Sequence, residues 1–212
     1  MSAAPIDWNR PHDEVRNLKS IVTADGRNAG MVLRCPRKEG HMILAWQDAR
    51  RKAQETLDHY WDGTFPVRVS AISKKMGVTP YRATLPMGVS GMIIKEQGQE
   101  ARSYADANES EERRRFTLAH ELGHYVERVT LAEDNDFAFK DKREPGQYNL
   151  HEFYADEFAG SLLMPEKPFM AMVNEGRSLI EIAARFGVSL AAARKRKERL
   201  TINPPEQVGD VD

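Results

Sequence analysis

"FTLAHELGHYVER", residues 116–128, places histidines at 120 and 124 with a glutamate directly after the first. At about 3.6 residues per turn, His120 and His124 lie one turn apart on the same face of a helix. Two imidazoles so placed can hold one divalent ion, and Glu121 stands where a base can act on a water held by that ion. Leu118, Ala119, Leu122, Val126 and Val129 form the apolar arc of this helix, with both histidines at its edge, where a cleft rather than bulk solvent is expected. Gly123 falls inside the arc. It costs about 1 kcal/mol of helix stability relative to alanine, so close approach by another element is the expected reason for it. The competing reading is an amphipathic helix that carries two histidines by chance, since H-E-x-x-H fixes only three identities.

A third ligand decides between the two, because a catalytic zinc takes three protein ligands and keeps one position open. The metzincin continuation would put glycine at 127 and histidine at 130, where this chain has Glu127 and Thr130. The ligand must come from elsewhere, and "HEFYADEFAGSLLMP", residues 151–165, offers one. Read as a helix, it has an apolar arc of Tyr154, Ala155, Phe158, Ala159, Leu162 and Leu163. Glu152 and Asp156 lie on or beside that arc, and Glu157 and Ser161 face away. Acids on a buried face are costly unless paired or bound to a metal. One of the two carboxylates can complete the ligand set and the other can receive a ligand imidazole's second N–H. The alternative is a pair of acids favoured only by the dipole at a helix start.

Together, "RRRFTLAHELGHYV" and "EFYADEFAGSLLMP" resemble the ImmA/IrrE family of metallopeptidases. That family joins a histidine-bearing helix to a second helix of the form E-x-x-A-N/D-x-F-A-x-x-L-L-M-P. The likeness extends upstream through "FPVRVSAISKKMGV" and "SGMII" and downstream through "IEIAARFGVSLAAARKRKERL", roughly residues 43–200. The spacing of Glu152 and Asp156 is also similar to the E-x-x-x-D gluzincin pattern of thermolysin-like enzymes. The resemblance implies His120, His124 and Glu152 as ligands of one zinc ion per chain, with Mn2+ as an alternative metal, and Glu121 as general base. It implies that Asp156, where many members have asparagine, orients His120. His151 adjoins the proposed ligand and is a candidate substitute ligand or oxyanion stabiliser. Neighbouring helical residues point about 100° apart, so only one of His151 and Glu152 readily faces the ion, and the family pattern favours Glu152. Tyr125, Tyr148 and Tyr154 are further oxyanion candidates. The implied substrate is a helix-turn-helix (Xre-type) transcriptional repressor, in a phage, mobile-element, stress or toxin–antitoxin setting.

The remaining sequence organises around this site. The expected fold is α+β: a zincin-like domain over residues 43–170, mostly helical with a small antiparallel sheet. A helix-turn-helix-like pair follows at 171–203, with an arm at 1–42 and a tail at 204–212. Helical periodicity runs from Ile43 to Trp61, a short helix at 70–76 closes at Gly77 before a strand, and "EQGQ" turns a hairpin. That hairpin, residues 91–105, is expected to offer an edge strand to an extended substrate. The arm and the charged connection at 131–149 are candidate control elements. In the C-terminal pair Gly187 marks the turn and Ser189 caps the second helix, where Arg194, Lys195, Arg196, Lys197 and Arg199 would suit phosphate contact. The favoured reading is a pair packed on the core with those charges as a solvated face. The rival is a DNA-binding regulator or toxin–antitoxin component with a structural or inactive metal site, although a purely structural site would not need Glu121.

Composition narrows the setting. With 31 basic and 32 acidic residues there is no global field to attract nucleic acid or a membrane surface. Cys35 is the only cysteine, which excludes an intrachain disulfide and a multi-cysteine metal site. No apolar run reaches transmembrane length, and the N-terminus is charged where a signal peptide needs an apolar stretch. A cytoplasmic protein with a protein substrate and no membrane partner is expected.

Overall fold

The computed structural model describes residues 32–33, 43–131, 139–142 and 150–204. Most of the 1–42 arm, most of the 131–149 connection, Tyr148 and tail residues 205–212 lie outside the described residues. Val32–Leu33 (β1) pairs antiparallel with Ile43–Leu44 (β2), just ahead of helix α1 (Ala45–Tyr60). Ala45, Ala49, Ala53 and Leu57 form a buried stripe of mostly small side chains, which lets α1 lie close to its neighbour. Helix α2 (Val69–Lys75) ends where Gly77 takes φ +77°, a left-handed conformation that releases the chain into β3 (Val78–Ala83).

Strands β4 (Gly91–Lys95) and β5 (Ala101–Asp106) form the hairpin read from sequence, turning through Gly98. With β6 (Phe139–Lys142) they make a four-stranded sheet in the order β3-β5-β4-β6. Two expectations are corrected here. The sheet is mixed, because β5 inserts between β3 and β4 and, after two reversals of the chain, runs parallel to β3. The hairpin also offers no edge: β4 is covered by β6 and β5 by β3, so β3 and β6 are the outer strands among those described.

Helix α3 (Glu111–Leu131) carries both histidines and packs between the sheet and α4 (Leu150–Leu163). Gly123 meets the expectation of close approach. A Cβ there would stand 3.0 Å from the Ala155 Cα, 3.2 Å from its carbonyl oxygen and 3.2 Å from the Phe158 Cβ. Helix α4 is buried around almost its whole circumference, and this corrects the outward placement of Glu157 and Ser161. Glu157 is 1% exposed. It accepts hydrogen bonds from Arg50 Nε on α1 at 2.7 Å, Arg196 Nη1 at 3.2 Å and Arg199 Nη1 at 2.9 Å.

The two arginines beyond α1 belong to the C-terminal helices. Helix α5 (Glu166–Asn174), which the periodicity had not revealed, starts after Pro165 and places Pro168 in its first turn, where no backbone donor is needed. Helix α6 (Leu179–Phe186) has a Ser178–Glu181 capping box and closes at Gly187 with φ +59°. Helix α7 (Leu190–Ile202) is capped by Ser189, whose hydroxyl accepts from the Ala192 N–H at 3.2 Å. From α3, Arg115 reaches the end of α6 and donates to the Gly187 carbonyl and to Val67 O at 2.9 Å. Ile182, Phe186, Ala193 and Leu200 join the same hydrophobic core as α1, α3 and α4, so the last helices pack as part of one body. No helix among the described residues is long and apolar enough to cross a membrane.

Because backbone rather than a flexible side chain faces Gly123, Gly123→Ala should destabilise the protein. Overpacking of about 1–3 kcal/mol is expected to exceed the gain of about 1 kcal/mol in helix propensity. A urea midpoint equal to or above that of the native chain would contradict the close-approach reading.

Candidate metal centre

The α3–α4 seam is antiparallel and polar along one line. His120 Nδ1 faces Asp156 Oδ1 at 3.1 Å, the two histidines face Glu152, and His151 Nδ1 faces Glu127 Oε1 at 2.9 Å. Every member except His151 is buried. His120 Nε2 and His124 Nε2 approach to 3.0 Å. Glu152 places Oε2 at 3.4 Å from the first and Oε1 at 3.3 Å from the second.

Two ring nitrogens at that separation need a proton or a cation between their lone pairs. One ligand atom from each of His120, His124 and Glu152 lies within 4.8 Å of the others. A tetrahedral ion with ligand bonds of about 2.0–2.1 Å has ligand–ligand edges of about 3.3 Å, which these separations bracket. The donor set of two imidazoles and one carboxylate therefore fits a metal ion.

Electrostatics also tie these residues to one another. Burial alone would push His120 down, but hydrogen bonds to Asp156 and Glu152 outweigh it and bring the imidazole up to about 9. Burial likewise opposes ionisation of Glu152 and Asp156. Their hydrogen bonds to His120, and to His124 as well for Glu152, hold both carboxyls well below the usual range.

Glu121 is buried against β4. A Cβ on Gly91 would stand 2.8 Å from Glu121 Oε1 and overlap the Thr117 methyl, so a glycine is needed for the strand to come this close. Gly91, not among the residues singled out above, opens the apolar run "GMII", and a glycine so placed is the kind of signal that marks close backbone approach.

The oxyanion candidates separate. Tyr154 is fully buried and donates its hydroxyl to Asp48 Oδ2 at 3.1 Å, inside the α1–α4 interface, which removes it from the set. Tyr125 lines a cavity of about 240 Å³ with Lys52, Tyr60 and Met76, on the side of α3 that faces α1 and α2. His151, 16% exposed, is the described candidate that stands at the seam.

The α7 cations also need correction. Lys195 reaches Asp156 Oδ2 at 3.0 Å, while Arg196 and Arg199 bind Glu157, so these three are not a purely solvated face. Arg196 is buried, and its burial lowers the guanidinium to about 10. One signal was available: Arg196 shares the i, i+3, i+7 stripe of Ala193 and Leu200, where a charge needs a buried partner.

Residues 104–198 match the Peptidase_M78 family, described as an IrrE N-terminal-like domain. No curated protein matches the chain in sequence. Among solved structures it is similar to a Mycobacterium tuberculosis transcriptional regulator. The TM-score is 0.51 at 16% identity, over 78% of this chain and 48% of that one. The chain thus spans about half the length of that relative, and the likeness is one of fold.

With the His120 imidazole brought up to about 9, an ion bound here at neutral pH would have to displace its proton. Zinc binding at pH 7 should release about one proton, and its affinity should rise by about tenfold per pH unit before levelling off above the histidine's own value. Calorimetry in buffers of different ionisation enthalpy measures the release; uptake without it would contradict the protonated metal-free centre.

Proposed function

We propose, on the premise that residues 104–198 are a Peptidase_M78 domain of the ImmA/IrrE type, that the protein is a zinc-dependent endopeptidase. The observation that carries this reading is the buried convergence of His120, His124 and Glu152, with Glu121 on the same turn of α3 as the first ligand. The three would hold the zinc, which when bound supplies Lewis acidity toward the scissile carbonyl and the attacking water.

The chain's own residues do the rest. Asp156 accepts the Nδ1–H of His120, which selects the tautomer whose Nε2 lone pair points into the ligand cluster. Glu121 takes the proton of the attacking water and delivers it to the leaving amine. His151 is held by Glu127 beside the ligand Glu152 and is the donor we assign to the developing oxyanion.

The substrate class, a helix-turn-helix repressor in a phage, mobile-element, stress or toxin–antitoxin setting, rests on the resemblance to ImmA/IrrE peptidases. The engagement of Lys195, Arg196 and Arg199 with acids of α4 supports this over the DNA-binding reading, which needed those cations for phosphate.

Two variants test the assignment. Glu121→Gln should keep stoichiometric zinc and lose cleavage of a helix-turn-helix repressor by about 100-fold or more. Glu152→Ala should lose the zinc itself. Undiminished cleavage by the first variant would remove Glu121 as the base, and undiminished zinc in the second would remove Glu152 from the ligand set.

A further inference from the structure

The geometry points to Lys195 as a positioning residue of the metal centre, so that the C-terminal helices are part of its support. Asp156 uses its two oxygens in opposite directions: Oδ1 accepts from His120 Nδ1 at 3.1 Å and Oδ2 from Lys195 Nζ at 3.0 Å. Partners on both sides fix the plane of the carboxylate. The side chain of Asp156 is 4% exposed, so bulk water is a poor substitute for either partner. Among the described lysines and arginines, Lys195 is the closest to this buried acid. Arg199 Nη2 is farther, at 3.9 Å, and the same guanidinium binds Glu157 at 2.9 Å.

A rigid element delivers the lysine. Arg196 and Arg199 tie α7 to Glu157, and Arg196 Nε donates to Met164 O at 3.2 Å. Arg50 Nη1 donates to Asn203 O at 2.7 Å and so holds the end of α7 against α1. Lys195 itself is 52% exposed, and ion pairs at such positions contribute little to stability. Its effect is therefore on the orientation of Asp156 rather than on folding.

The sign of the effect separates positioning from simple charge. A lysine acting only through its charge repels a divalent ion, and its removal would tighten zinc binding. A lysine that holds Asp156 against His120 does the opposite. The cavity of about 380 Å³ lined by Phe116, Met164, Val188, Ala192 and Lys195 leaves room for an arginine at 195 to make the same contact.

This inference rests on the metallopeptidase reading, and zinc affinity, measured by competition with a chromophoric chelator on the full chain, tests it without any cleavage assay. Lys195→Met should raise the zinc Kd by about three- to tenfold, and Lys195→Arg should restore it to within about twofold. With Asp156→Asn already present, Lys195→Met should add nothing. An unchanged or lower Kd in Lys195→Met, or an equal rise in the Asp156→Asn background, would overturn the role. Metal-free melting midpoints check the fold; should Lys195→Met lower its midpoint, Lys195→Gln is read in its place with the same expectation. A native chain that takes up no zinc would overturn the metallopeptidase reading and this inference together. Tight native binding with an insensitive Lys195→Met would overturn this inference alone.

Discussion

The approach of α3 to α4 at Gly123 and Ala155 is the constraint from which the rest of the structure follows. Two helices crossing with a side chain between them stand about 8–10 Å apart. Here glycine on one and alanine on the other bring the backbones close, with Ala155 directly over the position a Cβ would occupy. At that spacing imidazoles from α3 and a carboxylate from α4 share one small volume. The same logic recurs at the neighbouring contacts: the alanines of α1 against α4, and Gly91 of β4 against Thr117 and Glu121. The centre is built where small residues let backbones approach, so that long polar side chains can meet in the remaining space.

Close packing of this kind traps charge. Glu121, Glu127, Glu152, Asp156 and Glu157 are all buried, and isolated buried carboxylates would be prohibitive. The fold resolves this by giving adjacent residues of α4 different partners. Asp156 points toward His120 and Lys195, whereas Glu157, turned by about 100° on the helix, receives Arg50, Arg196 and Arg199. One residue serves the metal centre and the next clamps α1 to α7.

The parts legible in the sequence were those set by local periodicity and by motif spacing. Helices α1, α3, α4, α6 and α7, the turns at Gly77 and Gly187, and the ligand trio all follow from patterns within about 40 residues of chain. Other features depended on partners that no local pattern specifies. The outward reading of Glu157 failed because periodicity identifies an arc but not what covers its opposite side, here Arg50 from far upstream and two arginines of α7. The antiparallel sheet failed for a related reason: a hairpin motif predicts β4 against β5 but not that β5 inserts beside β3. Helix α5 was hidden by its two prolines, which ordinarily signal a break and here sit at a helix start.

The same long-range partners decide how the C-terminal helices should be regarded. Read alone, α6 and α7 have the turn and the basic surface of a separable nucleic-acid module. In place, Arg115 of the histidine-bearing helix binds the carbonyls at the α6 terminus, and Phe186 packs edge-on against Phe65 with ring centroids 4.9 Å apart. Lys195, Arg196 and Arg199 meet acids of α4. Removing the pair would leave Asp156 and Glu157 without three of their cationic partners, one turn from Glu152 of the candidate metal centre. A buried acid that loses its cation must protonate, rearrange or draw in water, and each of these alters the support of His120. The candidate metal centre and the C-terminal helices thus share one network of ion pairs through α4.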